Sequence, residues 1–288
     1  MKRLAVLCFI CAALLVGCAA DSGRQEDTLA ANQTEYISTA RELEDFFDSG
    51  PASAQLAADI DMGDTMLKVI AARGKVELVG GGYTLSGNAP CVIRLDDGCA
   101  IKLTDINIKA GQTGLGLLGS GSITGTGCAI SAQVNAVQAA GAVTVVAGSA
   151  LALRAEEGSG LICIGLELGQ DSRLTVQAAA YAINTGRGDF VLQAESQANC
   201  VANGDNVVKA DGTLMLGEKT VLQATNTGDH NAVKAGTLQA APDAALEAEG
   251  GANGVGLFVV EQYEGVALKG FCRPEVRVEA GKGVIAFS

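Results

Sequence analysis

Tryptophan is absent from this 288-residue chain; histidine occurs once, proline four times, and aromatic side chains make up 4%. A sugar-stacking platform of exposed rings is therefore poorly supplied. The tyrosines are Tyr36, Tyr83, Tyr181 and Tyr263, and only Tyr181 lies well inside the regular part of the chain. The lone His230, between Asp229 and Asn231, has no Ser or Cys nucleophile in recognisable register, so no catalytic triad can be read. Beyond Cys18 there is no C-x-x-C, which removes zinc-ribbon and thioredoxin-like motifs. Basic residues number 20 against 32 acidic ones, and no basic stripe interrupts the excess. A net charge of −12 disfavours nucleic acid as a partner, and its simplest use is solubility. No stretch sustains an i, i+3, i+4, i+7 apolar stripe through the 38 glycines, which excludes a helical array.

What is present is a three-residue phrase: an apolar residue, any residue, then Ala or Gly. Its first positions are Leu85, Ile108, Ile130, Leu153, Val176, Cys200, Leu222 and Leu246, spaced by 23, 22, 23, 23, 24, 22 and 24 residues. A period in this range marks a solenoid. A second column, Ile162, Ile183, Val208, Val233 and Val255, keeps a similar step. Within each coil the phrase sits in an alternating run such as Arg173-Leu174-Thr175-Val176-Gln177, the period of a strand. The large apolar residues then face inward, and Lys109, Arg154, Gln177, Gln223 and Glu247 face solvent. Asn, Asp and Gly mark the turns, as in Asn203-Gly204-Asp205-Asn206 and Thr227-Gly228-Asp229-His230-Asn231. The expected fold is all-β, a parallel solenoid over residues 36–288.

The first seventeen residues read as an export signal, with Lys2 and Arg3 before the apolar run Leu4 to Val16. Leu15-Val16-Gly17-Cys18 resembles the lipobox of bacterial lipoproteins, in which the Cys18 thiol takes a diacylglycerol; the alternative is an ordinary signal with an incidental Cys. Two acyl chains suffice for a stable anchor on the extracytoplasmic face of a membrane. Losing Lys2 and Arg3 with the signal takes the net charge from −12 to −14. Residues 18–35 form a polar tether. Thr39-Ala40-Arg41-Glu42 fits a capping box for a helix that carries Leu43, Phe46 and Phe47 on one face and stops at Gly50-Pro51. An open solenoid end needs a cap, and this helix is assigned that role. Gln55 to Ile60 and Lys75 to Val79 read as the first strands, before a Gly80-Gly81-Gly82 turn. Past Leu257 the ladder loosens: Val278 stands 32 residues after Leu246, with Glu261 to Gly265 as an insertion.

The entry segments Ile37 to Leu43 and Gln55 to Ile60, followed by Gly82-Tyr83-Thr84-Leu85-Ser86-Gly87, resemble the right-handed parallel β-helix proteins of the pectate-lyase-like superfamily. Runs such as Ser172 to Val176 and Asp205 to Asp211 are similar to bacterial carbohydrate-binding-domain surface proteins. The resemblance implies a single-stranded right-handed β-helix and spans Tyr36 to Phe258. It also implies what an enzyme on this fold would need: carboxylates on neighbouring coils holding calcium beside an Arg or Lys base, or a cluster of Asp residues.

The acids after Gly87 are scattered. Asp205 and Asp229 are the two expected on equivalent positions one coil apart, with Lys209 and Lys234 following, so Asp205, Lys209, Asp229, His230 and Lys234 form the candidate ligand patch. The expectation is a lipid-anchored, non-catalytic surface-binding module for glycans, without cofactor or metal. A polysaccharide lyase or glycoside hydrolase using that patch is the alternative, and a purely structural envelope protein a third reading. Arg187-Gly188-Asp189 matches the integrin tripeptide, a triplet that chance often supplies. Cys91 and Cys99, flanking the Asp96-Asp97-Gly98 turn, could pair across it.

Overall fold

A computed structural model describes residues 35–259, 275–278 and 286–287. The export segment, Cys18, the tether, the insertion at Glu261 to Gly265 and Cys272 lie outside the described residues. The chain is a parallel β-solenoid of about nine turns with one short helix near its N-terminus. Every strand pairing is parallel, each strand meeting the strand one coil before and one coil after it.

Each full coil lays down three short strands at three faces. The first face runs from Glu35–Ile37 through Lys75–Val79, Ala100–Thr104 and Gly165–Leu168 to the ends of Asn206–Leu216 and Asn231–Ala240. The ladder face holds ten strands, from Ile60–Asp61 through Ala150–Ala155 to Glu275–Val278. The third face runs from Leu67–Val69 through Cys91–Leu95, Thr113–Leu117 and Asn135–Ala139 to Ala286–Phe287. Alternation decides what each strand buries. In Arg173–Ala178 the residues Leu174, Val176 and Ala178 are inside while Arg173, Thr175 and Gln177 face solvent. Lys109, Arg154, Gln177, Gln223 and Glu247 are all exposed, as expected.

The apolar ladder is in register from Leu85 through Ile108, Ile130, Leu153 and Val176 to Cys200. It then shifts column. Cys200 pairs with Ala224, and Leu222 pairs with Ala198, so Leu222 and Leu246 continue the column of Leu151 and Leu174. A slip of two residues preserves the inward face, which is why the phrase persists across it. The same correction moves Val278: Val276 pairs with Leu246, and Val278 with Ala248. On the third face Ile183, Val208 and Val233 are in register, but their neighbours are Leu161 and Leu257, not Ile162 and Val255.

The helix spans Ala40–Ser49 with the expected capping box: Thr39 Oγ1 accepts from the Glu42 amide, and Glu42 accepts from the Thr39 amide at 3.0 Å. It buries Leu43, Phe46 and Phe47 over the first coils. Arg73 fastens its C-terminal end, donating to the Phe46 carbonyl and, at 2.7 Å, to the Pro51 carbonyl, with its guanidinium 5.1 Å from the Phe46 ring centroid. The expected strand Gln55 to Ile60 is broken: Ser53–Leu56 and Ile60–Asp61 lie on different faces, with the corner between them. Cys91, Cys99, Cys128, Cys163 and Cys200 are free and buried, so Cys91 and Cys99 are not bridged. The Cys91 thiol donates instead to the Met66 sulfur at 3.3 Å.

One corner repeats a device that the phrase does not reveal. Between the first face and the ladder face, Gly148, Asp171, Glu195 and Lys219 take positive φ, at 72°, 53°, 62° and 54°. Each is followed by a buried hydroxyl residue, Ser149, Ser172, Ser196 or Thr220. Ser196 and Thr220 hydroxyls donate to the carbonyls of Gln193 and Gly217, at 2.6 and 2.9 Å, closing the turn from within.

Candidate functional site

The anticipated patch straddles the third face: Asp205, Asp229 and His230 lie in the turns that enter it from the ladder face, and Lys209 and Lys234 on its strands. Lys209 and Lys234 stand on adjacent rungs in register. Asp205 and Asp229 do not. Asn206 pairs with Asn231, a step of 25 residues, so Asp205 comes opposite His230, not Asp229. Asp205 Oδ1 is 3.7 Å from His230 Nε2, and Asp205 Oδ2 accepts from the Tyr181 hydroxyl at 3.1 Å. Partial burial raises the Tyr181 pKa, and the hydrogen bond to Asp205 adds to it. His230 and Asp205 are 55% and 67% exposed, so water screens their attraction. Asp229 takes part in none of the ion pairs among the described residues.

The carboxylate that organises the lysines is Asp211, which the sequence pattern leaves outside the patch. Its oxygens lie 3.3 Å from both Lys209 Nζ and Lys234 Nζ. It sits in a bulge: Ala210 pairs with Ala235 but Thr213 with Thr237, so two residues stand opposite the single Gly236. A bulge re-aims a side chain at the margin of a sheet, and here it folds a carboxylate back between two stacked ammonium groups. The available signal was Lys209-Ala210-Asp211-Gly212 against Lys234-Ala235-Gly236, one residue longer. Lys209, Lys234 and Asp211 thus largely satisfy one another.

The integrin-like triplet serves the fold. A Cβ on Gly188 would lie 1.5 Å from the Ile164 carbonyl oxygen, and Asp189 Oδ1 accepts from the Thr213 amide at 2.7 Å.

A different arrangement stands out on the ladder face. A groove of about 580 Å³ runs along its margin, lined by Asp61, Ser86, Asn88, Lys109, Ser131, Gln133, Arg154 and Glu156 among others. Pairing in register sets Asp61, Ser86, Lys109, Ser131 and Arg154 in one outward column. With strands about 4.8 Å apart, Lys109 and Arg154 are separated by roughly 10 Å, with Ser131 between them. Neither cation enters an ion pair among the described residues, in contrast to Lys102, Lys209, Lys219 and Lys234. Gln133 donates to Glu157 at 2.6 Å, which ties its amide to the next coil. The sequence places Lys109 and Arg154 on the solvent side; their shared column two coils apart was legible in the same phrase. The arrangement can engage an extended ligand through hydroxyl, amide and cationic donors repeated along the solenoid axis.

Fold and site together define a parallel β-solenoid with a polar groove along one face. A scan against protein-family models and searches of curated proteins and solved structures found no match.

Proposed function

We propose that this is a lipid-anchored, extracytoplasmic and non-catalytic binding protein, a right-handed β-helix that holds an extended glycan along its ladder face. The observation that carries this reading is the groove, where Ser86, Asn88, Lys109, Ser131 and Arg154 supply polar contacts over four successive coils. Repetition of donors every coil suits a ligand that is itself a repeat. Without tryptophan to stack on a pyranose ring, each sugar contributes little, and affinity comes from engaging several coils at once. The membrane attachment rests on Leu15-Val16-Gly17-Cys18. Cys18→Ser is expected to leave an unprocessed precursor that takes up no labelled fatty acid; processing and labelling like wild type would remove the anchor from this reading.

The test of the ligand is a glycan array probed with the soluble form beginning at Ala19. Retained glycans should be lost, by at least tenfold in signal, in the Lys109→Ala/Arg154→Ala double variant. Retention unchanged in that variant, or no glycan retained at all, would overturn the groove as the binding site. Incubation with polygalacturonate, alginate and neutral polysaccharides, with and without calcium, tests the enzyme alternative. Release of unsaturated or reducing ends that disappears in Asp205→Ala would put a lyase or hydrolase in place of the binding protein.

A further inference from the structure

The third face carries an opening of a different character, independent of the groove on the ladder face. Its volume is about 530 Å³, within the range of small-molecule sites, and it is walled mainly by apolar groups: Met66, Pro90, Cys91, Leu117, Leu118 and Ala139. The hollow exists because of one rung. The outward column here reads Lys68, Arg94, Gly116 and Gln138 in register, and Gly116 supplies no side chain between the long ones on either side. The Cys91 sulfur partly occupies that floor, 3.1 Å from where a Gly116 Cβ would stand. The rim is apolar too, since Leu118 is 57% exposed.

At one end of this hollow lies an unmet electrostatic demand. Arg94 Nε is buried and has no hydrogen-bond partner, the sole side-chain atom in that condition among the described residues. Arg94 also enters no ion pair among the described residues. Nε itself is closed to solvent, so the part of the guanidinium that can meet a ligand is its terminal nitrogens, which likewise make no hydrogen bond among the described residues. Gln138, at the other end, has its carbonyl oxygen occupied by Asn135 at 3.1 Å, which aims its amide nitrogen elsewhere.

We propose that this hollow binds a small amphipathic carboxylate, with the acid group on the Arg94 guanidinium and an acyl or aryl body over Gly116 against Met66, Leu117 and Leu118. The two terminal nitrogens of a guanidinium present a fork that matches the two oxygens of a carboxylate, and such pairs strengthen where apolar walls exclude water. The apolar walls would disfavour a sugar, and the guanidinium would be wasted on a neutral hydrocarbon. The two features are satisfied together only by a ligand that has both parts.

Ligand-observed NMR of the purified protein with octanoate, and with octanol as the neutral molecule of equal body, tests this. Octanoate should bind at least tenfold more tightly than octanol, and its addition should shift the Arg94 Nε–H resonance. Arg94→Gln should weaken octanoate at least tenfold and leave octanol unchanged. Arg94→Lys, which keeps the charge and loses the fork, should fall between. Leu118→Ser, on the exposed rim, should weaken both ligands, and Lys109→Ala, on the ladder face, neither. Equal binding of octanoate and octanol, an unmoved Nε–H resonance, or unchanged affinity in Arg94→Gln would overturn the proposal, as would failure of octanoate to bind.

Discussion

Leu222→Ala is the sharpest test of which side chains face the core, because its neighbours are known rung by rung. Leu222 is fully buried, with Ala198 on the preceding rung and Leu246 on the next. The substitution removes three carbons from the interior, worth roughly 2.4 kcal/mol of transfer free energy at about 0.8 kcal/mol per methylene. Ala198 is already small and cannot swing into the space, so a cavity term should bring the loss to about 3–4 kcal/mol. Gln223 is the built-in control. It lies one residue away on the same strand, points outward, and donates to Glu247 Oε2 at 2.7 Å in an exposed position. Gln223→Ala should cost under about 0.5 kcal/mol. Urea unfolding followed by far-UV circular dichroism reads both, since the chain has no tryptophan to report by fluorescence. Coils couple mainly to their neighbours, so Leu222→Ala should also split the transition, with the C-terminal coils melting first. Equal destabilisation by the two substitutions would refute the assignment of inward and outward columns.

Burial pushes the thiols of Cys163 and Cys200 up to about 12, from an ordinary value of 9.0. Below about pH 9 native and unfolded chains both keep these protons, and stability is unaffected. As pH rises from about 9 towards 12 the unfolded chain releases them and the native chain does not, so stability falls by up to about 1.4 kcal/mol per pH unit per thiol. The Cys163→Ala/Cys200→Ala variant should therefore decline less steeply with pH in urea midpoints over that window; identical slopes would show that these thiols are not buried. Asp211→Asn should lower stability by about 1 kcal/mol at low salt, because Lys209 and Lys234 are then stacked like charges without a counter-ion. Its groups are about one-third exposed, so the loss should shrink in 1 M salt; a salt-independent loss would mean that the carboxylate acts through packing instead.

Most of the fold was written in residues whose chemistry is the same in every coil. A large apolar residue two places before a small one can only alternate inward on a parallel strand, and a 22–24 residue step brings it back one coil later. The cap was equally plain, because Thr39 and Glu42 are the two halves of one local hydrogen-bonding device. What was obscured was absolute register. Leu222 and Leu246 look like continuations of Cys200 because a shift of two residues leaves every side chain on its own face, and burial alone cannot tell the columns apart. The corner turns were hidden for another reason. Gly148, Asp171, Glu195 and Lys219 share a backbone conformation across a glycine, two acids and a base, so the letters at that position do not announce a common role.

The site suffered from the same indifference to register, with larger consequences. A side chain facing the core needs only the right face, whereas two groups that must cooperate need the right rung and the right column. Reading Asp205 against Asp229 required a 24-residue step, and the coil there is 25 residues long, so His230 took the place of the second acid. A second extra residue, this one in the preceding coil at Asp211-Gly212 opposite Gly236, restores the 24-residue offset and brings in the carboxylate that neutralises both lysines. Where the turns absorb the differences in coil length the outward columns can be trusted: Ser86, Lys109, Ser131 and Arg154 follow one another at steps of 23, 22 and 23 residues without a slip. A gap in a column is harder to read than a charge in one, because Gly116 acquires meaning only once Arg94 and Gln138 are known to flank it. The surface of such a solenoid is therefore specified by coil lengths as much as by residue types. A one-residue change in a turn acts locally: the extra residue before Asn231 sets His230 opposite Asp205, and the offset is back to 24 residues by Thr213 and Thr237 on the next face.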